Sequence, residues 1–142
     1  MGSLSLDDIL ITPLSRIVTA GGDVLHAMKK SDVGYSNFGE AYLSWVDGGA
    51  TKGWKCHTKM TMNIIVPVGQ VKFVFHLNGT EKFRDESIGV DRYVRITVPP
   101  GVWFGFQGLT TSQSLVLNIA STPHDPNEVE RIELSEIKYN WS

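Results

Sequence analysis

Lys52-Gly53-Trp54-Lys55-Cys56-His57-Thr58-Lys59-Met60, followed at a distance by Gly69, is the stretch on which the reading of this chain turns. Read as a strand, its side chains alternate between two faces. Lys55 and His57 then share one face, about 7 Å apart along the strand, while Trp54 and Cys56 point the other way. Two basic groups side by side on an inward face would be costly to desolvate without a purpose. The alternative is a strand facing solvent, with both residues ordinary surface groups.

Strand signals continue outward from this segment. Val71-Lys72-Phe73-Val74-Phe75-His76-Leu77 places Val71, Phe73, Phe75 and Leu77 on one face. From Tyr93 to Val98, Val94, Ile96 and Val98 alternate with Tyr93, Arg95 and Thr97. Asn63–Val68 and Ser114–Ala120 are short apolar runs, of strand length rather than helix length. Turn signals separate them at Asp47-Gly48-Gly49, Val68-Gly69-Gln70, Asn78-Gly79 and Pro99-Pro100-Gly101. Pro67 predicts a strand end or an edge. Only the tail reads as helical: Asp125-Pro126-Asn127-Glu128 has a helix-start pattern, with a single turn expected. The expected class is all-β, a barrel or jelly roll with a short C-terminal helical segment.

The 142 residues are expected to form one domain spanning 1–142. A formal net charge of -2 gives no basic field for nucleic acid. No apolar run approaches the ~20 residues of a membrane-spanning helix. The N-terminus has no signal-peptide pattern, and the single cysteine, Cys56, leaves no intramolecular disulfide. The expectation is a cytoplasmic protein.

Gly53 to Gly69 resembles the first motif of the cupin superfamily, and Val98-Pro99-Pro100-Gly101-Val102-Trp103-Phe104-Gly105-Phe106 resembles the second. The resemblance implies a double-stranded β-helix of jelly-roll type. Within cupins the chain is most similar to enzymes of nucleotide-linked 4-keto-6-deoxy sugars. Lys52-Gly53-Trp54-Lys55, the Val98–Phe106 stretch and the Asp125–Trp141 tail resemble the dTDP-4-dehydrorhamnose 3,5-epimerases. The His57-to-Gly69 spacing resembles the sugar-nucleotide 3,4-ketoisomerases more closely. The cupin metal-ligand places fall on Lys55, His57, Met62 and Phe104. One imidazole among four does not make a metal site, so no metal and no cofactor is expected.

The resemblance places the epimerase base at Lys55, its tyrosine acid near Asn118 and its active-site lysine near Met62. The phosphate-gripping arginine falls on Lys52, which keeps charge but loses the bidentate fork. Epimerisation beside a ketone needs a base, a stabiliser of the enolate and an acid for the other face. His57 suits the base, with Lys55 as the oxyanion partner. Asn118 can donate a hydrogen bond but supplies no proton. Tyr42, Tyr93 and His76 are candidate replacements. Trp103 is read as a rim residue that stacks on sugar or base, or alternatively as core. His76 is read as belonging to a pocket or to the surface. His26 and His124 are read as ordinary loop histidines, and Cys56 as no nucleophile.

These readings converge on a metal-independent 3- or 3,5-epimerase of a dTDP- or CDP-linked keto sugar, serving deoxysugar and polysaccharide synthesis. The alternatives are a 3,4-ketoisomerase and a non-catalytic sugar-nucleotide-binding cupin. Exposed sheet edges and an apolar outer face would suit a homodimer.

Overall fold

The computed structural model describes residues 3–142, with twelve strands among them. In chain order these are β1 (Leu10–Pro13), β2 (Arg16–Ile17), β3 (Val24–Leu25), β4 (Glu40–Val46), β5 (Thr51–His57), β6 (Met62–Val68), β7 (Gln70–His76), β8 (Phe83–Gly89), β9 (Val94–Val98), β10 (Trp103–Gly108), β11 (Ser114–Ala120) and β12 (Val129–Arg131). One sheet runs β1-β9-β6-β11-β4 and the other β12-β5-β10-β7-β8, while β2 and β3 form a separate ribbon. Every pairing is antiparallel. The architecture is all-β and cupin-like, with the two sheets as open layers rather than one closed barrel.

The period-two pattern explains the core. Phe73 and Phe75 from one sheet meet Ile64, Val66, Ile96, Val98 and Val116 from the other. A second apolar cluster lies on the outer face of β5, β7 and β10. There Trp54, Cys56, Val74 and Trp103 are covered by Ile132, Leu134, Ile137, Tyr139 and Trp141 of the tail. Trp54 Nε1 donates to the Leu134 carbonyl at 3.1 Å, which fixes the tail's height on the sheet. The tail thus packs as an apolar cover whose last strand reaches the edge of β5.

The expected helix start at Asp125 is a turn instead. The Asn127 N–H donates to Asp125 Oδ1 at 2.9 Å and the Glu128 N–H to the Asp125 carbonyl at 3.1 Å. Aspartate before proline satisfies the first amides of a turn with the same bonds that begin a helix. Strand pairing then wins, because Val129, Glu130 and Arg131 add onto β5 opposite His57, Cys56 and Lys55. Helical geometry among the described residues is confined to two 3-10 turns, Leu6–Asp8 and Leu134–Glu136.

Pro67 lies where the β6–β11 register shifts by one residue, between the Leu115–Val68 and Leu117–Ile65 pairs. A bulge tolerates a residue without an N–H inside a central strand. Gly69 turns the chain from β6 into β7 at φ +84°. A Cβ built there would lie 2.2 Å from Ser114 Oγ and 2.7 Å from Ser114 Cβ. Gly69→Ala therefore combines an unfavourable φ with a clash against β11. It should lower unfolding free energy by about 3 kcal/mol, read as a fall in urea midpoint.

Candidate active site

A cavity of about 390 Å³ opens between the sheets, lined by β5, β7, β10 and β12 on one side and β4, β6 and β11 on the other. Its walls are largely apolar, with Met62, Ile64, Phe73, Phe104, Phe106 and Val116. Its polar groups are Glu40, Tyr42, Ser44, Lys55, His57, Asn118, His124 and Arg131.

His57 closes β5 and is 7% exposed. Its Nδ1 meets Glu128 Oε1. The other oxygen of Glu128 accepts from the Lys59 N–H at 3.0 Å and the Met60 N–H at 3.2 Å. Phe104 stacks on the imidazole, with centroids 5.9 Å apart and planes 16° apart. Burial alone would push the Glu128 carboxyl up, but the bonds from His57 and the two amides hold it below its ordinary value of 4.5. The carboxylate is thus ionised at neutral pH and accepts from His57 Nδ1. Nε2 is the ring nitrogen left free of Glu128.

That arrangement fixes the sign of a pH effect. The stabilisation from an ionised Glu128 is complete above its unfolded value near 4.5 and is lost as pH falls through the lower folded value. Urea unfolding at neutral pH should show a stability gap between wild type and Glu128→Gln. The gap should narrow at about pH 3.5.

Lys55 faces the same cavity. Burial lowers its pKa, and the positive charges of Arg131 and Lys52 lower it further. Arg131 stands directly across from Lys55 in the β12–β5 register. Lys52 reaches this face through a bulge. Phe104 pairs with Lys55, yet Phe106 pairs with Lys52, because the register slips between Phe104 and Gly105. Without that slip, residues 52 and 55 would face opposite ways. Lys52 is exposed and stands outside the cavity lining.

Asn118 lies on β11 opposite Tyr42 of β4. Its Oδ1 accepts from the Asn63 N–H at 3.2 Å, and its Nδ2 donates to the Tyr42 hydroxyl at 2.9 Å. The phenol oxygen thereby accepts one bond and keeps its own proton for the cavity. Tyr42 thus brings to the cavity a hydroxyl proton of the kind Asn118 lacks.

The expected site residues divide by location. Lys55, His57, Met62, Phe104 and Asn118 line the cavity together. Trp103 and His76 do not: they pair with each other across β10 and β7, and Trp103 lies in the outer apolar cluster. His76 is buried under Phe83, with Nδ1 bonded to the Lys82 carbonyl at 3.0 Å. Their positions follow from β10 alternation, which turns Phe104 inward and Trp103 outward. Burial raises the Cys56 thiol to about 11, consistent with a packing role. His124, read as a loop residue, lines the cavity beside Glu40, whose Oε1 accepts from the His124 N–H at 2.8 Å.

Glu128 and Arg131 escaped the sequence reading because their segment was taken for a helix start. A period-two reading of Val129-Glu130-Arg131-Ile132 would have put Arg131 on one face with Val129. Among the described residues no cluster of three His, Cys, Asp or Glu side chains is placed to ligate a metal.

No family model and no curated protein matches the chain. Solved structures do. A dTDP sugar isomerase from Desulfovibrio desulfuricans G20 is 31% identical, with a TM-score of 0.89 over 95% of this chain and 91% of that one. A mutant 3,4-ketoisomerase from Thermoanaerobacterium thermosaccharolyticum, solved with TDP-4-keto-6-deoxyglucose, is 20% identical. It covers 90% of each chain with a TM-score of 0.76. A dTDP-4-dehydrorhamnose 3,5-epimerase from Sulfolobus tokodaii is 19% identical, with a TM-score of 0.80 over 97% of this chain and 84% of that one. At their identities, the last two share the fold.

Proposed function

We propose, from the premise that this chain belongs to the cupin-fold family of dTDP-sugar isomerases and epimerases, that it epimerises a nucleotide-diphosphate 4-keto-6-deoxy sugar at the carbon beside the ketone. The observation that carries this reading is the placement of His57 and Tyr42 on opposite walls of one cavity. His57 projects from β5 in one sheet and Tyr42 from β4 in the other. A sugar ring held between the sheets presents one face to each.

The chemistry proceeds from these residues. His57 Nε2 takes the α-proton, and Glu128 stabilises the imidazolium that forms. Lys55 stands at the ketone, the group that takes up the electron pair as the α-proton leaves. Tyr42 returns a proton to the opposite face, inverting the centre. Lys52 and Arg131 supply positive charge for the diphosphate, and Arg131 provides the planar fork that Lys52 lacks. Phe104, Phe106 and Met62 exclude water from the reacting carbons.

The test is incubation with TDP-4-keto-6-deoxyglucose in heavy water, followed by NMR. Deuterium at C3 in a product inverted there is the expected result. Absence of exchange at both carbons flanking the ketone would sink this reading and leave a sugar-nucleotide-binding protein. Exchange with a new keto position at C3 would instead establish a 3,4-ketoisomerase. That second reading is kept because a solved 3,4-ketoisomerase shares the fold.

The assembly proposed is a homodimer. β4 is a sheet edge, and its outward side chains Leu43 and Trp45 are 61% and 54% exposed. They stand beside Leu117 and Leu115 of β11, and Val68 of β6 extends the apolar strip. A second copy would cover this face. Sedimentation should give a dimer mass, and Trp45→Glu should raise the dimer dissociation constant at least tenfold, a cost of about 1.4 kcal/mol. A monomer at high concentration refutes it. Among the described residues no helix is long and apolar enough to cross a membrane, and the proposed setting is the cytoplasm.

A further inference from the structure

We propose that Lys55 acts covalently, its Nζ condensing with the substrate ketone so that the α-proton is removed from an iminium rather than from the free ketone. This deepens the proposed keto-sugar activity and rests on it. Three observations support it. Lys55 lies inside the cavity, yet it has no carboxylate partner among the ion pairs of the described residues. Arg131 stands opposite it in register, and Lys52 shares its face. The nearby Glu128 is fully engaged, holding His57 and the amides of Lys59 and Met60.

A half-buried amine beside other cations, with no anion to hold its proton, is placed to act as a nucleophile rather than as an ion-pair partner. The direction of its pKa, below the ordinary 10.5, agrees. Geometry supplies the second requirement. Lys55 and His57 are two residues apart on one strand face, about 7 Å between backbones. The four-carbon stem of Lys55 lets its nitrogen approach the imidazole. The carbonyl carbon that Lys55 attacks and the carbon that His57 deprotonates are bonded neighbours, so one pose serves both groups.

The step balances. Nζ attacks the carbonyl carbon, forming C–N, and the carbonyl oxygen departs as water. Summed from the neutral amine, amine, ketone and one proton taken up from solvent give iminium and water, so the new cation forms only once the ketone is bound. His57 then takes the α-proton. The C–H pair becomes the C=C bond of an enamine, and the C=N pair moves onto nitrogen. Reprotonation on the face opposite His57 restores the iminium with the centre inverted. Water adds back, the C–N bond breaks, ketone and amine are regenerated, and the proton taken up returns to solvent. No oxidant or reductant is consumed.

The test uses the full chain, TDP-4-keto-6-deoxyglucose and sodium cyanoborohydride, with peptide mass spectrometry and a parallel deuterium-exchange assay. The expected result is a reduced adduct on Lys55, absent from exposed Lys30 and suppressed by excess TDP. Lys55→Arg, which keeps the charge, should abolish the adduct and lower exchange at C3 by about 100-fold or more. Rapid exchange without an adduct, or exchange by Lys55→Arg within about threefold of wild type, overturns covalent participation and leaves the epimerase reading standing. An adduct spread evenly over surface lysines overturns it equally. An adduct at Lys55 with no exchange overturns the isomerase reading, and neither signal overturns both.

Discussion

Glu128→Gln should lower proton exchange at the carbon beside the ketone by about 10²- to 10⁴-fold. Glutamine keeps the shape and can accept the Lys59 and Met60 amides, but it carries no charge to stabilise an imidazolium. It can also present an NH2 to Nδ1, favouring the tautomer whose Nε2 carries the proton. Either outcome removes the base while leaving the cavity wall intact. Binding of TDP should hold within about threefold of wild type, because Glu128 faces His57 rather than the diphosphate cations. Glu128→Ala is expected to be harsher on stability. It leaves His57 Nδ1 and the buried Met60 amide unpaired, each costing about 1–3 kcal/mol, together with the less buried Lys59 amide. NMR exchange, calorimetry with TDP and urea unfolding separate these effects. Full exchange by Glu128→Gln would remove the dyad from the mechanism.

The second large effect is expected at the other end of the same contact. His57→Asn should reduce exchange by about 10²- to 10⁴-fold, with little change in TDP affinity. A protein that binds sugar nucleotides without turning them over would show no exchange to lose, so the wild-type measurement separates the two readings first. The double variant His57→Asn/Glu128→Gln should exchange no more slowly than His57→Asn, since Glu128 acts through the imidazole. Additive losses would mean that Glu128 has a separate role.

The period-two pattern made most of this fold legible. Phe73, Phe75, Val94, Ile96 and Val98 form the core on the faces assigned to them. Lys55 and His57 share a cavity, while Trp54 and Cys56 pack outward, as strand alternation requires. The misreadings share a physical origin, which is that local chemistry underdetermines pairing. Asp125-Pro126 suits a turn and a helix start equally, and the open edge of β5 decided between them. The bulge that brings Lys52 onto the side of Lys55 exists only in the match between β5 and β10, so no reading of either strand alone reveals it. Tyr42 was one tyrosine among several until β4 met β11 and set its hydroxyl against Asn118. Trp103 was assigned by its nearness to a turn, whereas alternation along β10 governs it.

β12 has a consequence for how binding is communicated through the chain. It is a three-residue edge strand held by β5 on one side only. Yet Glu128, which precedes it, holds His57, and its last residue, Arg131, lines the cavity where the proposed function puts the diphosphate. Short edge segments open far more readily than central strands. Each opening would unpair His57 and withdraw Arg131 together, so the closed strand and the occupied cavity must stabilise one another. Saturating TDP should therefore slow amide hydrogen exchange at residues 129–131 more than in the central strands β6 and β10. The last strand to join the sheet would then act as a latch whose tension is set by the ligand.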